Sequence, residues 1–217
     1  TDVGVVGRAL DLDGSAFAVL DDTTVASQVG AVNPFGLTGG QGSFSFLVGP
    51  RVGDAAGMSI GQTIFFADGG DPRSQGFDQR SVHLTIASST DNGNGPADSI
   101  GFSMPTSPAR PAALSFVASA AGVIDRNAFN HVLASWSSTG VQLYVNGTLV
   151  AEQAITGVAM TLRFIDVGTS QELARVLRGR IDELRASNST RNAAFARLEA
   201  RSARGELTQL GTVQNRP

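Results

Sequence analysis

The chain has 217 residues, a formal net charge of −3, 26 glycines and no cysteine. A chain of this length can bury a two-sheet core without disulfides, its charge gives no electrostatic basis for nucleic-acid binding, and no apolar run nears the roughly 20 residues that span a bilayer. Glycine stands well above the ~15 that an average usage of about 7% would give; because glycine enters tight turns at no steric cost, so many of them between short apolar runs predict many short strands.

Leu10 and Leu12 alternate with Asp11 and Asp13, the period of a strand with one buried face. Phe17 and Val19 resume the alternation after Gly14-Ser15. Residues 30–42, glycine-rich and holding Asn33-Pro34, read as a loop. Ser43 to Val48 alternates again with Phe44, Phe46 and Val48 on one face, and Ile64 to Ala67 is a short apolar run of the buried-strand type. A polar loop over 68–80 precedes Val82, Leu84 and Ile86, which alternate with Ser81, His83 and Thr85. A second polar loop, 88–98, carries the turn pairs Asn92-Gly93 and Asn94-Gly95. Three prolines within 104–112 exclude a central strand there, and Leu114, Phe116 and Ala118 mark the next one.

The stretch from Phe129 to Gln153 is the clearest. His131 to Ser137 forms a strand, Ser138-Thr139-Gly140 a turn, and Val141, Leu143 and Val145 an inward face. Asn146-Gly147 is a two-residue hairpin turn, since both residues tolerate positive φ, and Leu149 and Ala151 lie on the returning strand. Leu162, Phe164 and Val167 belong to a later strand, and Gly179 to Ala186 is the last. One helix is expected over about 190–204, capped by Ser189 or Thr190, ended by Gly205, and seated on the sandwich through Phe195 and Leu198. The domain therefore runs 1–205, and 206–217 is a tail assigned to a partner contact.

Charge divides along the chain: residues 1–162 hold 6 Arg and 13 acidic residues, a net −7, while 163–217 hold 10 Arg and 6 acidic residues, a net +4. All 16 basic residues are arginine, the side chain suited to bidentate contacts at interfaces. A basic end on an acidic body fits head-to-tail contacts between copies, with Arg201, Arg204, Thr212, Gln214 and Arg216 as the contact residues; a merely solvated surface is the competing reading.

Three segments resemble the laminin G-like, concanavalin A-like jelly-roll family. Gly7-Arg8-Ala9-Leu10-Asp11-Leu12-Asp13-Gly14-Ser15 resembles its opening strand. His131-Val132-Leu133-Ala134 followed by Leu143-Tyr144-Val145-Asn146-Gly147 resembles its central hairpin, with Phe129 where the family often has Trp. Gly179-Arg180-Ile181-Asp182-Glu183-Leu184-Arg185 resembles its closing strand, again followed by a short helix. The resemblance implies an all-β fold, a two-sheet antiparallel β-sandwich (jelly roll) with one short C-terminal helix. It also implies a binder of glycans or proteins, in some members through calcium held in rim loops; no calcium-ligand pattern carries over residue by residue.

The candidate chemistry is sparse. A glycosidase needs two carboxylates roughly 5–10 Å apart flanking one bond, and none of the five Glu residues pairs with another at strand spacing. Asp182 and Glu183 are adjacent, so an ideal strand sends them to opposite faces; structural hydrogen bonds explain them better, with a bulge bringing Ile181 and Leu184 to one side. Asp11, Asp13, Ser15 and Asp22 approach calcium-loop spacing, but Ala16 stands where that loop requires glycine. Asp68, Asp71 and Asp78 cluster with Arg73 and Arg80 in one loop, as ligands of a sugar or of calcium, or as a solvated loop pairing its own charges. His83, His131 and Trp136 read as structural. No catalytic residue, metal site or cofactor is assigned; calcium is the one alternative. The function expected is a non-catalytic structural and recognition module of an assembled particle, such as a phage head decoration or tail surface protein, contacting particle subunits or its own copies and host polysaccharide at the virion surface. The absence of a signal-peptide pattern favours that location. The alternative is a secreted, extracellular bacterial carbohydrate-binding domain, and a glycoside hydrolase ranks last.

Overall fold

A computed structural model describes residues 2–4, 7–14, 18–21, 40–50, 62–68, 82–86, 96, 98–105, 114–155, 164–169 and 176–207. Within them lie strands β1 (Asp2–Gly4), β2 (Gly7–Asp13), β3 (Ala18–Asp21), β4 (Gly42–Pro50), β5 (Gln62–Asp68), β6 (Val82–Ile86), β7 (Ile100–Pro105), β8 (Leu114–Ala118), β9 (Asn130–Ser137), β10 (Gly140–Val145), β11 (Thr148–Ala154), β12 (Phe164–Val167) and β13 (Arg178–Ser187), and one helix, α1 (Ala193–Ala203). The strands form two sheets, seven-stranded in the order β1-β2-β13-β4-β9-β10-β11 and six-stranded in the order β3-β12-β5-β6-β7-β8, and the assigned pairings are antiparallel. This is the two-sheet β-sandwich expected from the sequence.

The two inner faces meet in one apolar cluster. Phe44, Phe46 and Val48 of β4, Val132, Ala134 and Trp136 of β9, and Val141, Leu143 and Val145 of β10 come from one sheet. Val82, Leu84 and Ile86 of β6, Ile100, Phe102 and Met104 of β7, and Val117 of β8 come from the other. Period-2 alternation produces this, because successive side chains leave a strand on opposite faces. Trp136 joins the layers: its ring lies 5.2 Å from Phe44 in its own sheet and 6.1 Å from Phe102 in the other. Gly42, paired with Trp136 in register, makes room for it; a Cβ there would overlap the indole ring.

Local chemistry fixes the connections. Asn146 and Gly147 turn β10 into β11 with φ of 52° and 82°, the doubly positive geometry of a two-residue hairpin. Asn146 Oδ1 also accepts the His131 backbone N–H at 3.0 Å, tying the turn to β9. In β13 the register against β4 shifts between Asp182 and Arg185, and Glu183 has φ 54°. This is the expected bulge, and it lets both Ile181 and Leu184 reach the core. Strand β7 was not anticipated: Ile100, Phe102 and Met104 alternate with Gly101 and Ser103, but the segment sits between a turn-rich loop and a proline-rich one. It ends at Pro105, the first of the three prolines. In β8 the core residue is Val117, opposite Phe102, while Phe116 lies opposite Ser103 on the outer face. Phe17 and Leu162 lie outside the described residues.

Candidate functional site

The outer face of the six-stranded sheet is the larger candidate surface. Register places Val19, Asp166, Phe66, His83, Ser103 and Phe116 in one row across all six strands. Thr63, Thr85, Gly101 and Ala118 form a neighbouring row over β5 to β8. On the core side the matching row is Val167, Phe65, Leu84, Phe102 and Val117, apolar throughout. Of the described side chains in this row, those of Asp166, Ser103 and Phe116 lie on the side opposite the core; the side chains of Val19, Phe66 and His83 lie outside the described residues. Asp166, Thr85 and Gly101 are buried, while Ser103, Phe116 and Ala118 are only partly so, and the accessible part of the face runs along β7 and β8. On β7 and β8 the Phe116 ring stands opposite the Ser103 hydroxyl, a pairing that suits a ligand with an apolar face and hydroxyl edges.

Asp68 closes β5 opposite Phe164 of β12, which in turn lies opposite Asp21 of β3. These strand ends, with Pro105 and Leu114 paired nearby, make one end of the sheet. The 69–81 connection departs from it; Asp71, Arg73, Asp78 and Arg80 lie outside the described residues, as does the side chain of Asp68. The 88–98 loop leaves β6 from its other end, roughly 13 Å away along five residues of strand. A ligand touching both loops would therefore lie along the face rather than at one rim. Among the described residues no group of three His, Asp or Glu side chains is placed to hold a metal ion.

The outer face of the seven-stranded sheet is closed over part of β4, β9 and β10 by α1 and the segment leading into it. Ser43 Oγ donates to Ser189 O at 3.1 Å, Ser135 Oγ accepts Arg191 N–H at 2.8 Å, and Thr190 Oγ1 donates to Trp136 O at 3.0 Å. Of the expected caps, Thr190 thus spends its hydroxyl on the sheet, and the Ser189 hydroxyl donates to Asn188 Oδ1 at 3.3 Å. Asn192 caps the helix instead, its Oδ1 accepting Phe195 N–H at 3.1 Å. The buried helical residues are Ala196 and Ala200, one turn apart, and Ala196 packs with Leu133 and Tyr144 beside Phe195. Leu198, expected to face the sandwich, is 54% exposed. The difference has a steric cause: small residues four apart let the helix sit directly on the strands, which a leucine at the contact would prevent.

His131 of β9 is buried and its Nε2 lies 3.3 Å from Glu199 Oε2, while Arg185 Nη1 donates to Glu199 Oε1 at 3.1 Å. Burial raises the Glu199 carboxyl pKa, but hydrogen bonds from His131, Ser45 and Arg185 and the charge of His131 outweigh it and hold the pKa below its ordinary value. The imidazole thus serves as a latch between sheet and helix, the structural role expected of it. Asp182 Oδ1 accepts the Glu183 N–H at 2.9 Å, and Glu183 pairs with Arg185. Both acids are engaged within the β13 bulge. Arg201 and Arg204 both turn to Glu206, Arg204 Nε at 2.6 Å and Arg201 Nε at 3.7 Å, and the hydrogen bond from Arg204 leads the lowering of the Glu206 pKa. Thr212, Gln214 and Arg216 lie outside the described residues. Ser103 was missed with β7, and its signal was the Ile100-Phe102-Met104 alternation.

No curated protein sequence matches the chain. Among solved structures it is similar to the CBM40 domain of the Ruminococcus gnavus IT-sialidase bound to alpha2,3 sialyllactose, at 12% identity and TM-score 0.63, covering 90% of this chain and 98% of that one. It is also similar to domain 4 of AbnA, an extracellular arabinanase of Geobacillus stearothermophilus, in complex with arabinotriose, at 16% identity and TM-score 0.58 over 92% and 79% of the chains. A third likeness is to the botulinum neurotoxin serotype G binding domain, at 12% identity and TM-score 0.59, covering 88% of this chain and 41% of that one. Likeness at such identities concerns the fold. A sequence profile of the concanavalin A-like lectin/glucanases superfamily matches residues 27–195, and the chain belongs to that family.

Proposed function

We propose that the protein is a non-catalytic glycan-recognition module whose ligand lies along the outer face of the six-stranded sheet, toward the end that carries Asp68 and the 69–81 connection. The observation that carries this reading is Ser103 opposite Phe116, a hydroxyl and an aromatic ring that keep part of their surface in solvent on the side of β7 and β8 away from the core. Its structural neighbours bound to sialyllactose and arabinotriose support the same class of ligand. The engagement of Asp182 and Glu183 within their own bulge supports a binding rather than a hydrolytic role. The test is a glycan array that includes sialyllactose and arabinotriose, run with calcium and with a chelator. Binding that weakens about fivefold or more in Phe116→Ala is expected, as for truncating an aromatic anchor. No binding to any glycan, or binding indifferent to Phe116→Ala and Ser103→Ala, overturns it. A change on chelation would assign calcium to the 69–81 connection.

The setting we propose is the surface of an assembled particle such as a phage virion, with the secreted carbohydrate-binding domain as the competing setting. The division of charge into −7 and +4 segments supports contacts between copies or with other subunits. Light scattering on the full chain and on a version cut after Gly205 tests it. An oligomer that becomes a folded monomer on truncation supports assembly through the tail; two monomers remove self-assembly through the tail and leave docking on a different subunit or the secreted setting.

A further inference from the structure

The helix closes only part of the seven-stranded sheet. Beside its lead-in, where β9, β10 and β11 reach the 138–140 turn, a cleft of about 420 Å³ remains, and Ser137, Thr139, Gln142, Glu152, Gln153 and Thr190 supply its polar lining. It stands on the opposite side of the sandwich from the row that includes Ser103 and Phe116.

We infer that this cleft is a second ligand site, for a neutral saccharide bearing a vicinal diol. Among the described residues the lining contains hydroxyls, two side-chain amides and a single carboxylate, with no arginine, histidine or aromatic ring. Such a set offers nothing to neutralise an anionic sugar and no ring to stack on, but it can both donate to and accept from neighbouring hydroxyl groups. Gln142 and Glu152 face each other across the β10–β11 pair, and the amide is oriented before any ligand arrives. The hydroxyl of buried Tyr144 donates to Gln142 Oε1 at 2.8 Å, and Gln142 Nε2 donates to Glu152 Oε2 at 3.4 Å. This arrangement leaves one amide hydrogen of Gln142 and one carboxylate oxygen of Glu152 outside the bond between them, a donor and an acceptor for the hydroxyls of a diol. An acceptor carboxylate also makes the stronger, charge-assisted kind of hydrogen bond.

The walls are held as firmly as the floor. Thr190 is fixed by its bond to Trp136 O, and the next residue by its bond to Ser135 Oγ. Ser137 and Thr139 hydroxyls lie 3.1 Å apart, and the N–H of Ile155 donates to Thr139 O at 3.1 Å, joining the end of β11 to the turn. Preorganised groups lose little freedom when a ligand binds, which favours even a shallow polar site.

The experiment is a titration of the isotopically labelled full chain with maltose, lactose and cellobiose, and separately with sialyllactose, followed by backbone amide NMR shifts. Concentrations on the order of 10 mM suffice for a millimolar dissociation constant. The expected result is saturable shifts at Thr139, Gln142, Glu152 and Thr190 with at least one neutral disaccharide. Gln142→Ala and Glu152→Ala should each weaken binding about tenfold; thermal unfolding should stay near that of the parent in Glu152→Ala, whose side chain is exposed, and fall modestly in Gln142→Ala, which leaves the Tyr144 hydroxyl without its acceptor. Tyr144→Phe, which removes only the positioning bond, should have a smaller effect in the same direction. No saturable shifts with any neutral disaccharide, or shifts indifferent to Gln142→Ala and Glu152→Ala, overturn the inference. Saturable shifts confined to Ser103, Phe116 and their neighbours would overturn it while upholding the six-stranded face; shifts confined to the cleft would do the reverse.

Discussion

On the seven-stranded sheet, Ser45 of β4 and His131 of β9 lie on the side away from the sandwich core and are nonetheless buried, whereas on the six-stranded sheet Ser103 of β7 and Phe116 of β8 occupy the corresponding side and keep part of their surface in solvent. Both faces come from strands with the same alternation. What separates them is α1, which adds a small second core of Leu133, Tyr144 and Ala196 and a polar latch of His131, Glu199 and Arg185. One sheet face has become interior, while on the other Ser103 and Phe116 along β7 and β8 keep part of their surface in solvent. The comparison teaches that an apolar residue on an outer strand position, such as Leu47 or Leu133, signals a covering element rather than an error of alternation.

The largest expected effect tests what the two faces share. Trp136→Ala removes the ring that touches both Phe44 and Phe102 and should cost about 3–5 kcal/mol in chemical denaturation. A cost under about 1 kcal/mol would mean that the sheets do not depend on one core. The next effect belongs to the helix-covered face alone. His131→Ala deletes a buried partner of Glu199 and should cost about 1–3 kcal/mol, with faster amide exchange over residues 193–203 and little change in β6 and β7. Uniformly faster exchange would deny that the latch is local.

The same latch gives a pH dependence with a definite sign. The folded-state pKa of Glu199 is lowered, so its ion pair stabilises the fold above the unfolded carboxylate range, near ~4.3. That contribution is lost as pH falls through the lower folded-state value. The parent protein should therefore lose more stability on acidification from about pH 5 than Glu199→Gln does, the two curves converging at low pH. Parallel curves would remove Glu199 from the latch.

Much of this architecture was legible in the sequence because period 2 and turn chemistry are local. Asn146-Gly147, the Val141-Leu143-Val145 face and even the β13 bulge follow from residues within a few positions of one another. The helix contact was only half legible for the opposite reason. Of the apolar stripe through Phe195 and Leu198, Phe195 does pack beside Leu133 and Tyr144, but Leu198 is exposed and the buried helical positions are alanines, because distance of approach, set by β9 and β10, outweighs side-chain hydrophobicity. Thr190 looks like a cap until Trp136, more than fifty residues away, takes its hydroxyl, and Ser43 ties the Ser189 carbonyl to the sheet. β7 lacked any local contradiction and was hidden only by the turn-rich and proline-rich segments around it. The row on the six-stranded face depends on the register of six strands, which no single segment reveals.

The smallest effect is also the most direct comparison of the faces, since one substitution can be made on each. Ser45 is buried and hydrogen-bonds Glu199 beneath the helix, so Ser45→Ala should cost about 1 kcal/mol, the usual net worth of a buried hydrogen bond. Ser103 is partly exposed on a face that no described element covers, so Ser103→Ala should stay within about 0.5 kcal/mol of the parent and show itself in glycan affinity instead. Denaturation midpoints of the two variants, measured side by side, give the difference without reference to any absolute scale. If Ser103→Ala costs as much as Ser45→Ala, the six-stranded face is as closed as its counterpart, and a ligand surface along β7 and β8 is ruled out. If only Ser45→Ala is costly, the asymmetry created by α1 is real in solution, and the hydroxyl of Ser103 is free to meet a ligand rather than to hold the fold.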